Sequence, residues 1–257
     1  MDRKKAAEEL FQAEKGRYQI EPLSDRYADI TVEDAYAIQL ENVAKKLENG
    51  EKLIGMKIGL TSRAMQQMGG ITEPDYGHLT DKMLLLEGQL CKTENLISPK
   101  IEGELAFCIH KTLRGPGVTI ADVYNATNWV APAIEIIDTR IKDWKIKLTD
   151  TIADNGSSAM VVLGSRLTDI REVDMRLVGM TLEKNGELVS SGAGAEVWGN
   201  PAAAVAWLAN KLAEFDIELK ENSIVLSGAV TAAVAAQAGD HFSVSFQGLG
   251  SVGVKFV

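Results

Sequence analysis

The chain has 257 residues, 46% hydrophobic and 25% charged, an ordinary globular balance with enough length to bury one large core. Its formal net charge of −9 argues against a nucleic-acid or anionic-membrane partner, which would need a basic surface, and means that an anionic substrate needs a local cation. Cys91 and Cys108 show neither CxxC spacing nor a companion histidine cluster, which argues against a thiolate metal site and makes a reduced, cytoplasmic setting the expectation.

Residues 1–5 run into a charged stretch without the apolar centre of a secretion signal, and no run approaches the roughly twenty apolar residues of a membrane helix. Two helices are expected first, over residues 3–15 and 32–49. The second is entered through Thr31 with Asp34 as a capping-box pair and left at Gly50. Its residues Val32, Ala35, Gln39, Val43 and Leu47 fall on or near one face, so it should pack against something larger, as a lid or a scaffold.

After Gly50 the texture changes to short strands broken by glycine. Residues 53–60 read as a strand with Lys57 among apolar neighbours, residues 65–70 as a short helix, and Glu73-Pro74-Asp75-Tyr76-Gly77 as a turn. A strand over 101–110, a helix over 119–127 with Thr119 and Asp122 as a capping pair, and a buried strand over 130–137 follow. Residues 138–158 read as long and mostly irregular, which in a compact domain points to a lid, a binding loop or an interface. Next come a strand at 160–163, a hairpin of 176–183 and 187–190 around Asn185-Gly186, and a helix from Asn200-Pro201 to about Phe215. Strands at 223–226, 241–246 and 252–256 close the chain. This pattern predicts an α+β or mainly β fold and not a doubly wound sheet. There is no GxGxxG leading into a helix and no P-loop, so nucleotide cofactors have no support.

The chemistry centres on Glu102, Glu104 and Glu135. Side chains alternate along a strand, so Glu102 and Glu104 share one face, roughly 6.6–6.8 Å apart at Cα. Glu135 stands inside the apolar run 130–137, where a lone carboxylate is costly unless a cation meets it. Oxygen-only ligands suit a hard ion, Mg²⁺, Mn²⁺ or Ca²⁺, which in turn can be chelated by a 2-oxo acid. The competing reading makes Glu102 and Glu104 a solvated strand face and pairs Glu135 with a lysine or arginine. Lys57 is either a snorkelling lysine or, if buried, a partner for a substrate carboxylate or an acid/base whose pKa falls. Asp75 is either a turn cap or the general base. His78, His110 and His241 have no spacing that suggests a cage or a triad and read as structural or surface residues. Trp144 and Trp198 read as packing or interface anchors.

Several motifs then carry a resemblance. Met56-Lys57-Ile58-Gly59-Leu60-Thr61-Ser62, Glu73-Pro74-Asp75-Tyr76-Gly77, Pro99-Lys100-Ile101-Glu102-Gly103-Glu104, Ile137-Asp138-Thr139-Arg140-Ile141-Lys142-Asp143-Trp144 and Asp150-Thr151-Ile152-Ala153-Asp154-Asn155 agree in order and spacing. Together they resemble the hydratase/decarboxylase family of the meta-cleavage pathway for aromatic compounds, whose branches are 2-oxopent-4-enoate hydratase and 4-oxalocrotonate decarboxylase. The resemblance implies a fumarylacetoacetase C-terminal-like mixed β-roll over residues 51–257, with residues 1–50 as an N-terminal helical appendage. It implies Mg²⁺ or Mn²⁺ held by Glu102, Glu104 and Glu135, with Lys57 and Asp75 as the catalytic pair. Ser157 and Ser227 are carried as candidate substrate-binding residues.

Asp75 and the stretch around Trp144 look like the hydratases, whereas Gly228-Ala229-Val230-Thr231-Ala232-Ala233-Val234 and Gln247-Gly248-Leu249-Gly250-Ser251-Val252 look more like the decarboxylase. Hydration needs a positioned acid/base, which favours the hydratase; the decarboxylase is the alternative. The expected partners are a small 2-oxo acid, further copies of the chain in a homo-oligomer, and the sister enzyme of the pathway. A second class of function, a non-catalytic scaffolding subunit, would require a broken metal site.

Overall fold

The computed structural model describes residues 1–62, 66 and 73–257. Local signals account for the first helices. Helix α1 (Arg3–Gly16) starts where the Asp2 carboxylate accepts from Lys5 N, and α3 (Val32–Glu48) starts at the reciprocal Thr31–Asp34 capping box. Between them lies α2 (Leu23–Arg26), a single turn too short to show a period, which the sequence reading omits. The buried Gln39 of α3 donates from its amide to Tyr76 O (2.9 Å) and Ile152 O (2.7 Å), bracing the helix against two segments beneath it.

Two sheets are formed among the described residues. The larger holds β1 (Leu53–Gly59), β2 (Asp75–Thr80), β3 (Leu84–Leu85), β5 (Lys100–Ile109), β6 (Thr127–Ile137), β7 (Ser158–Leu163), β10 (Ile224–Leu226) and β11 (Val234–Ala235). Its order is β2-β1-β10-β5-β6-β7-β3, with β11 also on β5. The smaller sheet orders β4 (Leu90–Cys91), β13 (Gly250–Phe256), β12 (His241–Phe246), β8 (Gly179–Lys184) and β9 (Glu187–Ala193) as β4-β13-β12-β8-β9. Pairs β1/β10, β3/β7 and β4/β13 are parallel and the others antiparallel. This is the mixed α+β architecture expected.

Period-two alternation divides the larger sheet into two unlike faces. One face, with Met56, Ile58, Tyr76, Leu105, Phe107 and Ile134, joins the main hydrophobic cluster, which also takes in Leu10 and Tyr36 of the helices and Val244 and Phe256 of the second sheet. The other face carries a small cluster, Leu79, Ala106, Ala133, Val161 and Leu226, and the charged residues considered below. The β8/β9 hairpin turns at Asn185 (φ 56°) and Gly186 (φ 84°), both left-handed as a type I′ turn requires. The helix Pro201–Ala213 begins with Asn200 accepting from Ala202 N.

Two expectations are corrected. Residues 75–77 are not part of a turn: Asp75 opens β2, whose residues pair with β1 through Gly59↔Asp75 and Lys57↔Gly77, while Pro74 stays outside the ladder it could not donate to. Residues 138–158 are not mostly irregular. They hold a 3-10 turn (Lys142–Trp144), a helix (Leu148–Ala153) and a second 3-10 turn (Asn155–Ser157). The helix is too short for periodicity to reveal; it is fixed by Asp150, which accepts from Lys147 N (3.0 Å) and from Ser24 Oγ (2.6 Å). The short helix expected at 65–70 falls, apart from Gln66, outside the described residues. No described helix is long and apolar enough to cross a membrane.

The β1/β10 pairing depends on Gly55, where an added Cβ would lie 1.8 Å from Ile224 O. Gly55→Ala is therefore expected to lower the unfolding free energy by about 3 kcal/mol, read from denaturant midpoints. A change below ~0.5 kcal/mol would show that the two strands separate without penalty.

Candidate active site

Strand register assembles the site. On β5 and β6, Glu102 stands directly opposite Glu135 and Glu104 opposite Ala133, while β1 brings Lys57 in from two strands away. One carboxylate oxygen from each of Glu102, Glu104 and Glu135 lies within 4.8 Å of the others. Glu104 and Glu135 are both 0% exposed, and Glu102 is half-buried in the wall of a cavity of about 580 Å³. The solvated-face reading of these glutamates is thereby excluded.

Their surroundings leave negative charge over. Glu104 Oε2 accepts from Gly228 N (2.8 Å), but Glu104 Oε1 and both oxygens of Glu135 are buried without a hydrogen-bond partner. Lys57 Nζ stands 3.4 Å from Glu135 Oε2. Burial pushes the carboxyl pKa values of Glu104 and Glu135 up; neighbouring carboxylates push Glu104 further up and Lys57 pulls against the rise at Glu135. Burial likewise pushes Glu102 up to about 7, against the pull of Lys57. Buried orphan oxygens on Glu104 and Glu135, with a Glu102 oxygen converging on the same point, fit a divalent cation of the Mg²⁺ class.

Lys57 is 3% exposed, so the snorkelling reading fails. Burial lowers its pKa, but Glu135, Asp75, Glu102 and Glu104 outweigh burial and the net direction is upward, opposite to the fall considered from sequence. It is a fixed ammonium, not a neutral amine. Its Nζ donates to Gly156 O (3.1 Å). That carbonyl is presented by a turn in which Asn155, Gly156 and Ser157 all have positive φ (57°, 61° and 53°). The Asn155 side chain holds the turn, accepting from His78 N (2.8 Å) and donating to His78 O (2.9 Å).

Asp75 Oδ2 accepts from Thr151 Oγ1 (2.8 Å), and its Oδ1 is buried without a partner. A Cβ on Gly59 would lie 2.1 Å from that Oδ1 and 3.0 Å from Lys57 Nζ. Only glycine at 59 leaves room for the Asp75 carboxylate and the Lys57 ammonium on this side of β1.

The remaining candidates divide. Ser157 lines the cavity, but its Oγ donates to Asp154 Oδ2 (3.1 Å), inside a buried frame where Asp154 also binds Arg140 Nε (2.5 Å) and Thr139 Oγ1 (2.9 Å). Ser227 is fully buried with an unpartnered hydroxyl, and it is not part of the cavity wall. His78 is buried, pushed down to about 4 by burial, with Nδ1 2.9 Å from Gln39 Oε1, while His110 and His241 are exposed; none reaches the site. Trp144, read as an anchor, also lines the cavity. It sits with φ 57°, beside Asp143 at φ 56°, conformations that cost on the order of 1–3 kcal/mol each for such residues. Sequence reasoning missed Thr151, the Gly156 carbonyl and the Gly228 N–H, which no local pattern marks. It also missed Lys100, which the same alternation places on the face of Glu102 and Glu104.

Comparison with known proteins fits this arrangement. Residues 87–257 match the fumarylacetoacetate hydrolase C-terminal family. Over 249 residues the chain is 45% identical to a 2-hydroxyhexa-2,4-dienoate hydratase of Comamonas testosteroni, covering 96% of this chain and 94% of that one. It is 50% identical to a 2-hydroxypent-2,4-dienoate hydratase of Pseudomonas putida over 82% of this chain and 95% of the relative. Among solved structures, 4-oxalocrotonate decarboxylase from Pseudomonas putida G7, complexed with magnesium and adipate, superposes with a TM-score of 0.96 at 38% identity, covering 98% of this chain and 96% of that one. The chain belongs to the fumarylacetoacetate hydrolase C-terminal family, in the group that holds the hydratases and decarboxylases of the meta-cleavage pathway.

Proposed function

We propose that the chain is a divalent-metal-dependent lyase that adds water to 2-hydroxypenta-2,4-dienoate to give 4-hydroxy-2-oxopentanoate. The observation that carries the choice of reaction is Asp75: a buried carboxylate with one oxygen fixed by Thr151 and the other unpartnered beside Lys57 is a positioned acid/base, which hydration needs. The hydratases at 45% and 50% identity support the same choice.

In this reading Glu102, Glu104 and Glu135 hold Mg²⁺ or Mn²⁺. When bound, the cation draws electron density from the carbonyl and carboxylate of a 2-oxo acid and so favours the enolate. Lys57, a cation buried beside Glu135, holds the substrate's negative charge and fixes its orientation. The net reaction places a proton on C5 of the dienol to give the 2-oxo-3-enoate, then adds hydroxide at C4 and a proton at C3. Asp75 is the group that takes the proton from water and returns it to carbon, while Thr151 keeps the carboxylate turned toward Lys57. A homo-oligomer in the cytoplasm, with the sister enzyme as a further partner, goes with this reading.

The second reading is 4-oxalocrotonate decarboxylase, favoured by the backbone likeness to that enzyme. A scaffolding subunit would need a broken site, and here the three carboxylates are present and converge.

Asp75→Asn is expected to lower hydration of 2-hydroxypenta-2,4-dienoate by at least ~10²-fold while Mg²⁺ affinity, read by calorimetry, stays within about threefold of the parent. A parent protein that releases CO₂ from 4-oxalocrotonate but never hydrates the dienoate would overturn the hydratase in favour of the decarboxylase.

Chelation is expected to abolish turnover, and Mg²⁺ or Mn²⁺ to restore it. Turnover unaffected by exhaustive chelation would refute the metal assignment. A pH dependence follows from Glu102, whose folded-state pKa of about 7 lies above its ordinary 4.5 because of burial. The folded metal-free protein binds the extra proton, so its stability falls as pH rises from about 4.5 to about 7. Thermal midpoints of the chelated protein should decline across that window, with added Mg²⁺ raising them most at its upper end; a flat profile would contradict it.

A further inference from the structure

We propose that Arg140 is a positioning residue for Lys57: from outside the cavity it sets the turn 155–157 as a socket that fixes the ammonium where substrate meets it. This rests on the reading of Lys57 as the group that holds the substrate's negative charge.

The socket is built from backbone. Asn155, Gly156 and Ser157 take positive φ in succession (57°, 61° and 53°), which brings the Gly156 carbonyl to 3.1 Å from Lys57 Nζ. The fit is close, since a Cβ on Gly156 would lie 3.0 Å from Lys57 Cδ and 3.2 Å from its Nζ. Glycine and asparagine tolerate the left-handed region, whereas Ser157 stays there only because its surroundings hold it. The charged neighbours of Lys57 are all acids, with Glu135 Oε2 at 3.4 Å and the Asp75 carboxylate beside it over Gly59. Gly156 O is the neutral acceptor that keeps the ammonium from being drawn wholly to those carboxylates.

Arg140 holds the socket in shape. It is 5% exposed and lies outside the cavity wall. Its guanidinium spends its donors around the turn: Nη2 donates to Asp154 O, and Nη1 donates to Ser158 O (3.3 Å) and Asp138 O (2.7 Å). Its Nε donates to Asp154 Oδ1 (2.5 Å), while Asp154 Oδ2 accepts from Ser157 Oγ (3.1 Å). Asp138 N donates to Ser157 O (2.7 Å). The residues before and after the turn, and one residue inside it, are thus tied to a single planar group. Buried ion pairs add little net stability over apolar side chains of the same size, so stability alone does not account for this frame. A lysine at 140 would keep the charge, but three donors on one nitrogen cannot span those carbonyls as a rigid fork does.

The test is a double-mutant cycle read by calorimetric titration of the Mg²⁺-loaded protein with 2-oxopentanoate, a saturated acid that cannot be hydrated. Lys57→Met is expected to weaken binding at least ~tenfold and Arg140→Lys about fivefold, while Arg140→Lys added to Lys57→Met changes binding by less than about twofold. A loss of the same size in both backgrounds would make Arg140 a merely structural residue and overturn the proposal, as would full affinity in Arg140→Lys. Asn155→Gly removes the clamp on His78 while leaving the left-handed backbone unstrained, so it repeats the cycle if Arg140→Lys does not fold. Additivity there would overturn the proposal equally, because the turn would then not act through Lys57. No binding by the parent protein, or binding unaffected by Lys57→Met, would overturn both the proposal and the role given to Lys57. Coupling between positions 140 and 57 in a protein that hydrates nothing would overturn the hydratase and leave Arg140 in its place.

Discussion

Glu102 and Glu135 face each other across the two longest strands of the molecule, with Glu104 beside them and one ammonium within reach. Like charges placed directly opposite in a ladder destabilise it, and burial removes the water that would dilute the repulsion. The ten-residue and eleven-residue strands pay that cost through the rest of their pairing. Much of the local structure answers the same imbalance: Gly228 N–H turns to Glu104, Lys57 crosses from β1, and a turn of left-handed residues offers its carbonyl to keep the ammonium in place.

The sheet tolerates such a site because its two faces have separate duties. The large apolar cluster lies on one face, where both the second sheet and the helices cover it, so the other face is free to be polar. Small residues on that face provide the space. Gly59 admits the Asp75 carboxylate, and Gly77 lets the backbone of Asn155 approach where a Cβ would lie 2.4 Å from its carbonyl oxygen. Substitutions that enlarge either would damage the site without touching an ionisable group.

The parts of this arrangement that local rules encode were legible in the sequence. Capping boxes at Thr31 and Thr119, the Asn185-Gly186 hairpin and the Asn200-Pro201 helix start all lie where residue chemistry within four positions dictates them. Period-two alternation put Glu102 and Glu104 together, and the apolar run around Glu135 announced a buried acid. What stayed hidden depends on distant segments. The composition around Asp75 mimics a turn, and only pairing with β1 makes it a strand. The direction of the Lys57 pKa could not be read, because burial alone predicts a fall and the four carboxylates that reverse it come from three different strands. Thr151 and Gly156 act from a short helix and a turn with no sequence period at all.

Gln39 gives the amino-terminal helices a meaning beyond packing. Its one amide nitrogen bridges the carbonyls of Tyr76 and Ile152, which immediately follow Asp75 and Thr151 in the chain. The acid and the hydroxyl that orients it are thus held at a common distance by a residue that never enters the cavity. The appendage is a splint for that pair, and a shorter homologue lacking it would have to find another way to keep the two in alignment.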